Sequence, residues 1–254
     1  MSKIVADHWR GLDFYKPATD PYGHILIAGA GAIGSYVAYG LLRMGVKRIT
    51  VVDFDKVEPH NLPNQFFAED GLVEEVYKTS ALAHTIRFMM PDAKLVTFPL
   101  RIEAYVETDH YKNNSFTAVI SAVDNMDVRK WMFDRFRHIP LFLDSRTGGL
   151  FANVYSIIRG DDIAEEYYEK SLYSNEEAVP LPCSGQAVVD VSMAVSAEVI
   201  ARYRTFALHK QLLAIHTFHD YKIGQAYGMS YYANSVGKVQ LLDNTIHEVS
   251  NEQD

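Results

Sequence analysis

The sequence predicts a single α/β domain with a Rossmann-like fold: a mostly parallel central sheet, helices on both faces, and antiparallel strands toward the C-terminus. Short apolar strands alternate with helical stretches between residues 23 and 145, which is typical of right-handed βαβ units. The first strand is followed by glycines spaced G-x-G-x-x-G at the start of a helix. We expect residues 1–254 to form one domain, with a core over 23–145 and a C-terminal extension over 146–254.

The first half begins in the order strand, helix, strand. The first strand ends near Gly29, the helix after it runs to about Met44, and the second strand ends at Asp53. A helix over 79–90 is stopped by Pro91, whose ring cannot continue a helix. The remaining predictions for this half are strands over 94–98, 117–124 and 140–145 and a helix over 128–138.

The second half adds a crossover segment, a long helix and a hairpin. Residues 151–160 indicate a strand at a sheet edge or in a second layer. Residues 161–177 are acidic and tyrosine-rich, and they form either a flexible crossover segment or a solvated loop and helix. A long helix is predicted over about 187–208. The tail alternates around Asn234 and Gly237, which predicts an antiparallel hairpin.

The composition limits the classes of function. The chain of 254 residues has a net charge of −8 and no basic run, which argues against nucleic acid as a partner. The single cysteine excludes an intramolecular disulfide and a CxxC zinc site. The N-terminus lacks the layout of a signal peptide, so we expect a cytoplasmic protein. The apolar run over 24–42 has about the length of a bilayer span, but its glycines favour a strand turning into a helix, not a membrane segment.

The glycine turn predicts a nucleotide site. Gly29, Gly31 and Gly34 allow the backbone to approach a phosphate closely, and the helix that follows offers free N–H groups at its positive end. Asp53, at the end of the next strand, supplies a carboxylate that can accept both hydroxyls of a ribose. Two kinds of reaction use such a nucleotide-binding turn: hydride transfer with a dinucleotide and adenylate transfer from ATP.

The segment after the second strand favours adenylate transfer. It reads "VVDFDKVEPHNLPNQFF" and resembles the ThiF/MoeB/HesA superfamily, which includes the ubiquitin-activating enzymes and has D-x-D-x-V followed by N-L-x-R-Q. The resemblance covers nearly the whole chain, and its specific parts are residues 29–34, residues 53–67, "AVDNMDVR" and the segment around Cys183. It implies an adenylyltransferase that uses ATP and Mg²⁺ to activate the C-terminal carboxylate of a small ubiquitin-like or sulfur-carrier protein or of a peptide. It also implies a homodimer.

The resemblance assigns roles to individual residues. It implies that Asp53 binds the ribose, that Asn61 and Gln65 support the phosphates, and that Lys78 reaches the phosphates. Asp124 lies near the magnesium ion in this assignment, where a metal and a lysine neutralise the charge that develops on the α-phosphate. The predicted cofactor-binding residues are Gly29, Gly31, Gly34, Asp53, Asp55, Asn61, Gln65, Lys78, Asn125 and Arg129; the predicted catalytic residues are Cys183, Lys78 and Asp124, and Asp124 is the predicted metal ligand.

One residue departs from the pattern. Asn64 stands where the family has the arginine of N-L-x-R-Q, which removes a cation from the phosphate end of the site. Arg10, Arg129 and Arg146 are candidate replacements. The departure motivates an alternative interpretation, in which the chain is a catalytically reduced scaffold or one half of a heterodimer. A further alternative, an NAD-dependent oxidoreductase, depends on the glycine motif and Asp53 alone.

Cys183 precedes the long helix, at a junction where members of the family commonly carry a cysteine. A thiol at a helix N-terminus gains thiolate character, which favours attack on an acyl adenylate. A small buried hydrophobic role is the equal alternative. His209, His216 and His219 are expected to be surface or core histidines and not metal ligands.

Overall fold

The computed structural model describes residues 8–17, 23–69, 75–174, 188–210, 214–233 and 239–243. The strands are β1 (His24–Ala28), β2 (Arg48–Val52), β3 (Leu95–Phe98), β4 (Ala118–Ser121), β5 (Leu141–Gly148), β6 (Phe151–Ile158), β7 (Ala214–Asp220), β8 (Gln225–Ala233) and β9 (Val239–Asp243). The helices are α1 (Gly34–Met44), α2 (Lys78–Met89), α3 (Ile102–Tyr105), α4 (Asp109–Lys112), α5 (Met126–Arg135), α6 (Asp162–Glu169) and α7 (Val189–His209).

The strands form one sheet in the order β3-β2-β1-β4-β5-β6-β7-β8-β9. The first five in this order are parallel, and each later strand pairs antiparallel with its neighbour. The predicted fold class is therefore confirmed. The chain moves outward from β1 to β3 and then returns to β4 on the other side of β1, and in sheets of this kind the crevice at such a reversal is where ligands bind.

Helices cover both faces of the parallel half. Ile25 and Ile27 of β1 pack with residues of α1, α2 and α7, whereas Leu26 and Ala28 pack with residues of α3 to α6. All five residues of β1 are buried, because neither face of the strand meets solvent. This explains why β1 is a continuous apolar run and not an alternating one.

The first strand-turn-helix unit lies where the sequence predicts it. α1 ends at Met44, and Gly45 follows in the left-handed region with φ 101°, which is the usual way for a glycine to end a helix. The apolar run over 24–42 is thus split between a strand and a helix. No helix among the described ranges has the length and apolar character needed to cross a membrane.

The antiparallel half corrects one prediction and adds a strand. β6 was expected at an edge or in a second layer, but it lies inside the sheet between β5 and β7. The middle of β6 is buried on both faces, with Val154 toward α7 and Tyr155 toward α6. β7 was not predicted, because its sequence "AIHTFHD" carries polar residues that find partners only in the folded protein. The predicted hairpin is present as β8 and β9; its turn, with Asn234 and Gly237, lies outside the described residues.

Candidate nucleotide-binding site

A cavity of about 1120 Å³ opens where the carboxyl ends of the parallel strands meet. Loops after β1, β2, β3 and β4 contribute to its wall, together with the end of β5. All but one of the predicted nucleotide- and metal-binding residues that the structure describes line it. These are Gly29, Gly31, Asp53, Asp55, Asn61, Gln65, Lys78, Asp124, Asn125 and Arg129.

Gly34 and Gly31, two of the three glycines of the turn, have different roles. A Cβ atom on Gly34 would lie 1.9 Å from the carbonyl oxygen of Gly29, so Gly34 allows α1 to pack closely against the turn. Gly34 was predicted to bind the cofactor, but it does not line the cavity. A Cβ on Gly31 would meet no atom within 4 Å, so the backbone at Gly31 faces open space. Gly31 is thus the position at which a ligand can approach the main chain.

The N-terminus of α1 suits an anionic group. Its N-cap residue, Ile33, makes no side-chain capping bond, and the first turn contains no acidic residue. By contrast, Asn125 caps α5 and Asp161 caps α6 through side-chain oxygens. Because Gly31 and Ile33 line the cavity, the uncapped positive end of α1 faces it. Such a helix end binds phosphate or carboxylate groups.

Asp53 connects the turn after β1 to the loop after β2. Its Oδ2 accepts a hydrogen bond from the backbone N–H of Ala30 at 2.6 Å, and its Oδ1 accepts one from the backbone N–H of Asp55 at 2.7 Å. Burial raises the pKa of Asp53, although these two N–H groups and Lys78 oppose the rise. Each carboxylate oxygen keeps a further lone pair, which can accept a hydrogen bond from a ligand hydroxyl group.

Lys78 is the first residue of α2, and Asp55 fixes it at the cavity wall. Its Nζ lies 2.8 Å from Asp55 Oδ2, and its backbone N–H donates to the Asp55 carbonyl, also at 2.8 Å. The Lys78 side chain is only 13% exposed, so this pair is held partly away from solvent. Asp55 was predicted to contact the cofactor directly; in this structure its carboxylate binds Lys78.

Two amide side chains line the same wall. Asn61 ends the turn Pro59–Asn61, and its Oδ1 accepts the backbone N–H of Glu58 at 2.9 Å. The Oε1 atom of Gln65 is buried and has no hydrogen-bond partner within the part of the chain that the structure describes. A buried acceptor without a donor is costly, so Gln65 is a site that a ligand hydroxyl or amine can satisfy.

Asp124 and Asn125 follow β4 and are both exposed. Among the described residues the carboxylate of Asp124 has no hydrogen bond or ion pair, and it lines the cavity. The Oδ1 of Asn125 accepts the backbone N–H of Val128 at 3.0 Å, so part of its capacity is used to cap α5. Asp124 is therefore a carboxylate of the cavity wall that is available to a metal ion.

Of the arginines proposed to replace the missing cation, two are held by a buried carboxylate and the third lines another cavity. Arg129 and Arg146 both pair with Asp144, which is fully buried. Burial alone would raise the pKa of Asp144, but the two guanidinium groups keep it below its ordinary value. Tyr168 also donates to Asp144 at 3.0 Å. Arg10 lines a separate cavity of about 230 Å³.

Several residues of the cavity wall were not predicted, and Phe54 and Arg101 are two of them. Phe54 follows Asp53, and Arg101 follows β3 as the N-cap residue of α3. The central carbon of the Arg101 guanidinium lies 3.9 Å from the centroid of the Phe54 ring. The only signal in the sequence is that both positions follow predicted strands.

The three histidines singled out in the sequence, His209, His216 and His219, do not line this cavity. His216 bonds to Asn153 at 2.8 Å and to Tyr167 at 2.9 Å, and His219 pairs with Glu198, a carboxylate that the sequence did not point to. His209 is exposed at the end of α7. Over the described ranges, no group of three or more metal-ligating side chains comes together. Cys183 lies outside the described residues.

Sequence comparison identifies relatives of the chain. Residues 21–251 match the sequence profile of the ThiF family. The chain is 31% identical to ubiquitin-like modifier-activating enzyme 5 of Aedes aegypti over 115 residues, which are 41% of this chain and 28% of that protein. It is 27% identical to tRNA threonylcarbamoyladenosine dehydratase of Haemophilus influenzae over 106 residues, which are 42% of this chain and 40% of that protein. The matches thus span less than half of either relative.

Structural comparison gives the same fold. E. coli MccB crystallised with selenomethionine MccA superposes with a TM-score of 0.63 at 16% identity, covering 82% of this chain and 63% of that chain. MccB with ATP gives a TM-score of 0.58 at the same identity, 16%, covering 87% and 63%. Selenomethionine PaaA gives 0.66 at 14% identity, covering 91% and 85%.

Proposed function

The chain belongs to the ThiF family, and on that premise we propose that it is an ATP-dependent adenylyltransferase. Its acceptor would be the C-terminal carboxylate of a small ubiquitin-like or sulfur-carrier protein, or of a peptide. Relatives named as ubiquitin-like modifier-activating enzymes support a protein acceptor, and the MccB structures with MccA support a peptide. The observation that carries the proposal is the uncapped start of α1, which faces a cavity lined by Asp53, Lys78 and Asp124.

The strand order gives the proposed orientation of ATP. The phosphates lie at the turn after β1, where Gly31 leaves open space and the N-terminus of α1 is uncapped. The ribose lies at Asp53, after β2. Because β3 follows β2 at the sheet edge, the base extends toward the loop after β3.

The reaction forms one bond and breaks one. An oxygen of the acceptor carboxylate attacks the α-phosphorus, the bond from that phosphorus to the bridging oxygen breaks, and pyrophosphate leaves with the electron pair. Lys78, fixed by Asp55, stabilises the negative charge that develops on the phosphates. Asp124 is suited to hold Mg²⁺, because this ion is commonly bound by one or two carboxylates together with substrate phosphates and water.

The proposal has two further parts, a second chemical step at Cys183 and an oligomeric state. The thiolate of Cys183 attacks the acyl adenylate, which forms a thioester and releases AMP. We also propose a homodimer, as the family resemblance implies.

The test is ATP–pyrophosphate exchange with candidate acceptors. We expect exchange that depends on an acceptor with a free C-terminal carboxylate, and loss of exchange in Lys78→Ala. Lys112→Ala is the matched control, because Lys112 pairs with Glu107 at 3.3 Å on an exposed surface away from the cavity. An absence of ATP binding at millimolar nucleotide would contradict the proposal.

A scaffold or heterodimer half is the second candidate. Asn64 favours it, because an uncharged amide lines the cavity where the family has an arginine. The pairing of Arg129 with the buried Asp144 favours it too, because this candidate replacement for the missing cation is already engaged. This candidate predicts binding of a partner protein without any exchange of pyrophosphate.

A further inference from the structure

An aromatic ring and a guanidinium group meet at one end of the cavity. Phe54 is 45% exposed although it is a large apolar side chain, and Arg101 is exposed as well. The 3.9 Å between the central guanidinium carbon and the ring centroid is well inside the 6 Å range of a cation–π contact. Because Arg101 is exposed and lines the cavity, its guanidinium remains accessible to a ligand despite this contact.

Arg101 differs from the other lysine and arginine side chains of the wall. Lys78 pairs with Asp55, Lys56 pairs with Glu75, and Arg129 pairs with the buried Asp144. Arg101 has no carboxylate partner within the described ranges of the chain. A guanidinium that is held only by an aromatic ring keeps its charge and its N–H groups available to a ligand.

The position of the pair follows from the topology. Gly31 lies after β1, Asp53 and Phe54 after β2, and Arg101 after β3, and these strands are consecutive in the sheet. A nucleotide that lies with its phosphates at α1 and its ribose at Asp53 therefore directs its base toward Phe54 and Arg101.

We propose that Phe54 and Arg101 bind the nucleobase, with the guanidinium placed between the aromatic ring and the base. The inference rests on the proposed function, because it requires a nucleotide in this cavity. Arginine stacks on planar π-systems, and such stacking is tolerant of which base is present. Arg101 thus adds affinity at the base end of the ligand, where it compensates for Asn64 at the phosphate end.

The experiment separates the base from the phosphates. Binding of ATP with Mg²⁺ is measured by calorimetry, and adenosine and inorganic tripolyphosphate are measured as competitors. We expect Arg101→Ala and Phe54→Ala each to weaken ATP and adenosine by roughly tenfold and to leave tripolyphosphate unchanged. Arg101→Lys keeps the charge but loses the planar group, and it should weaken ATP and adenosine similarly.

Two control variants should behave differently from Arg101→Ala. Lys78→Ala should weaken tripolyphosphate and leave adenosine unchanged, because Lys78 is proposed to act on the phosphates. Arg43→Ala should change neither ligand. Arg43 is the matched control, since it also contacts an aromatic ring, Tyr39, at 5.2 Å but does not line this cavity.

Three results would overturn the inference, and each would identify a different reason. If Arg101→Ala weakens tripolyphosphate and spares adenosine, Arg101 is a phosphate ligand. If Arg101→Ala binds ATP as the wild-type protein does, the pair has no role in the site while the proposed function stands. If the wild-type protein binds no ATP, the proposed function fails and this inference fails with it.

Discussion

At the scale of single residues, the site consists of side chains that hold one another in place. Asp53 binds two backbone N–H groups, and Asp55 binds Lys78 through both its carboxylate and its carbonyl. These contacts restrict the rotamers of the groups before any ligand arrives. A prearranged charge costs less reorganisation during a reaction than a mobile one, which is the physical advantage of such an arrangement.

A variant of Cys183 distinguishes adenylation from the proposed transfer to the thiol. We expect Cys183→Ala to retain ATP–pyrophosphate exchange, because adenylation uses the carboxylate of the acceptor and not the thiol. The variant should lose a thiol-sensitive covalent adduct with the acceptor, which gel electrophoresis and mass spectrometry detect. If the wild-type protein forms no adduct under conditions of active exchange, the nucleophilic role of Cys183 is wrong.

The sequence predicted many residues that line the cavity, but it did not predict which side chains hold them in place. Gly31, Asp53 and Asp124 follow predicted strands, so the topology alone brings them to one edge of the sheet. The buried carboxylate that binds Arg129 and Arg146 could not be predicted, because Asp144 lies within an apolar strand and nothing local indicates its partners. Arg101 was missed for the same reason, since its contact with Phe54 joins two separate loops.

At the scale of elements, the strand-turn-helix unit around α1 combines two functions in six residues. Gly34 permits close packing of the helix on the turn, and Gly31 leaves space in front of it. The regular apolar strands and long helices were predictable from their periods, as α1 and α7 illustrate. β7 was not predictable, because His216 and Thr217 become acceptable in a sheet only through Tyr167, Asn153, Glu198 and Arg202.

The two glycines should therefore respond differently to alanine. Gly34→Ala should destabilise the fold by about 1–3 kcal/mol, because the new methyl group would overlap the Gly29 carbonyl and force the backbone to shift. Gly31→Ala should leave stability nearly unchanged and weaken ATP binding by at least about tenfold, because the methyl group would project into the cavity. Urea unfolding and calorimetry measure the two effects.

Gly11→Ala is the matched control for the second change. A Cβ on Gly11 also meets no atom within 4 Å, but Gly11 does not line the nucleotide cavity. It should affect neither stability nor ATP affinity. Tight ATP binding by Gly31→Ala would show that no phosphate approaches this turn.

At the scale of the whole molecule, the buried Asp144 joins the predicted core to the predicted extension. Arg129 reaches Asp144 from α5, whereas Arg146 and Tyr168 reach it from beyond residue 145. Arg146 also donates to Ser171 through its guanidinium at 2.9 Å and 3.0 Å. These contacts cross the boundary at 145/146, so we expect one cooperative unfolding transition and not two.

Asp144→Asn tests this connection, and its effect should depend on pH. The substitution leaves two partly or fully buried guanidinium groups without their carboxylate, which should cost about 3–5 kcal/mol at pH 7. The pKa of Asp144 is lowered in the folded protein, so its contribution is present above the ordinary carboxyl pKa and is lost as pH falls through the lowered value. The difference between wild-type and variant protein should therefore shrink on acidification toward that range, because protonated Asp144 resembles asparagine. Denaturant unfolding followed by fluorescence and circular dichroism at several pH values measures the free energy of unfolding and the number of transitions. A difference between the two proteins that does not change with pH would show that Asp144 does not act as a charged group. Two separate transitions in the wild-type protein would show that it does not join the two parts.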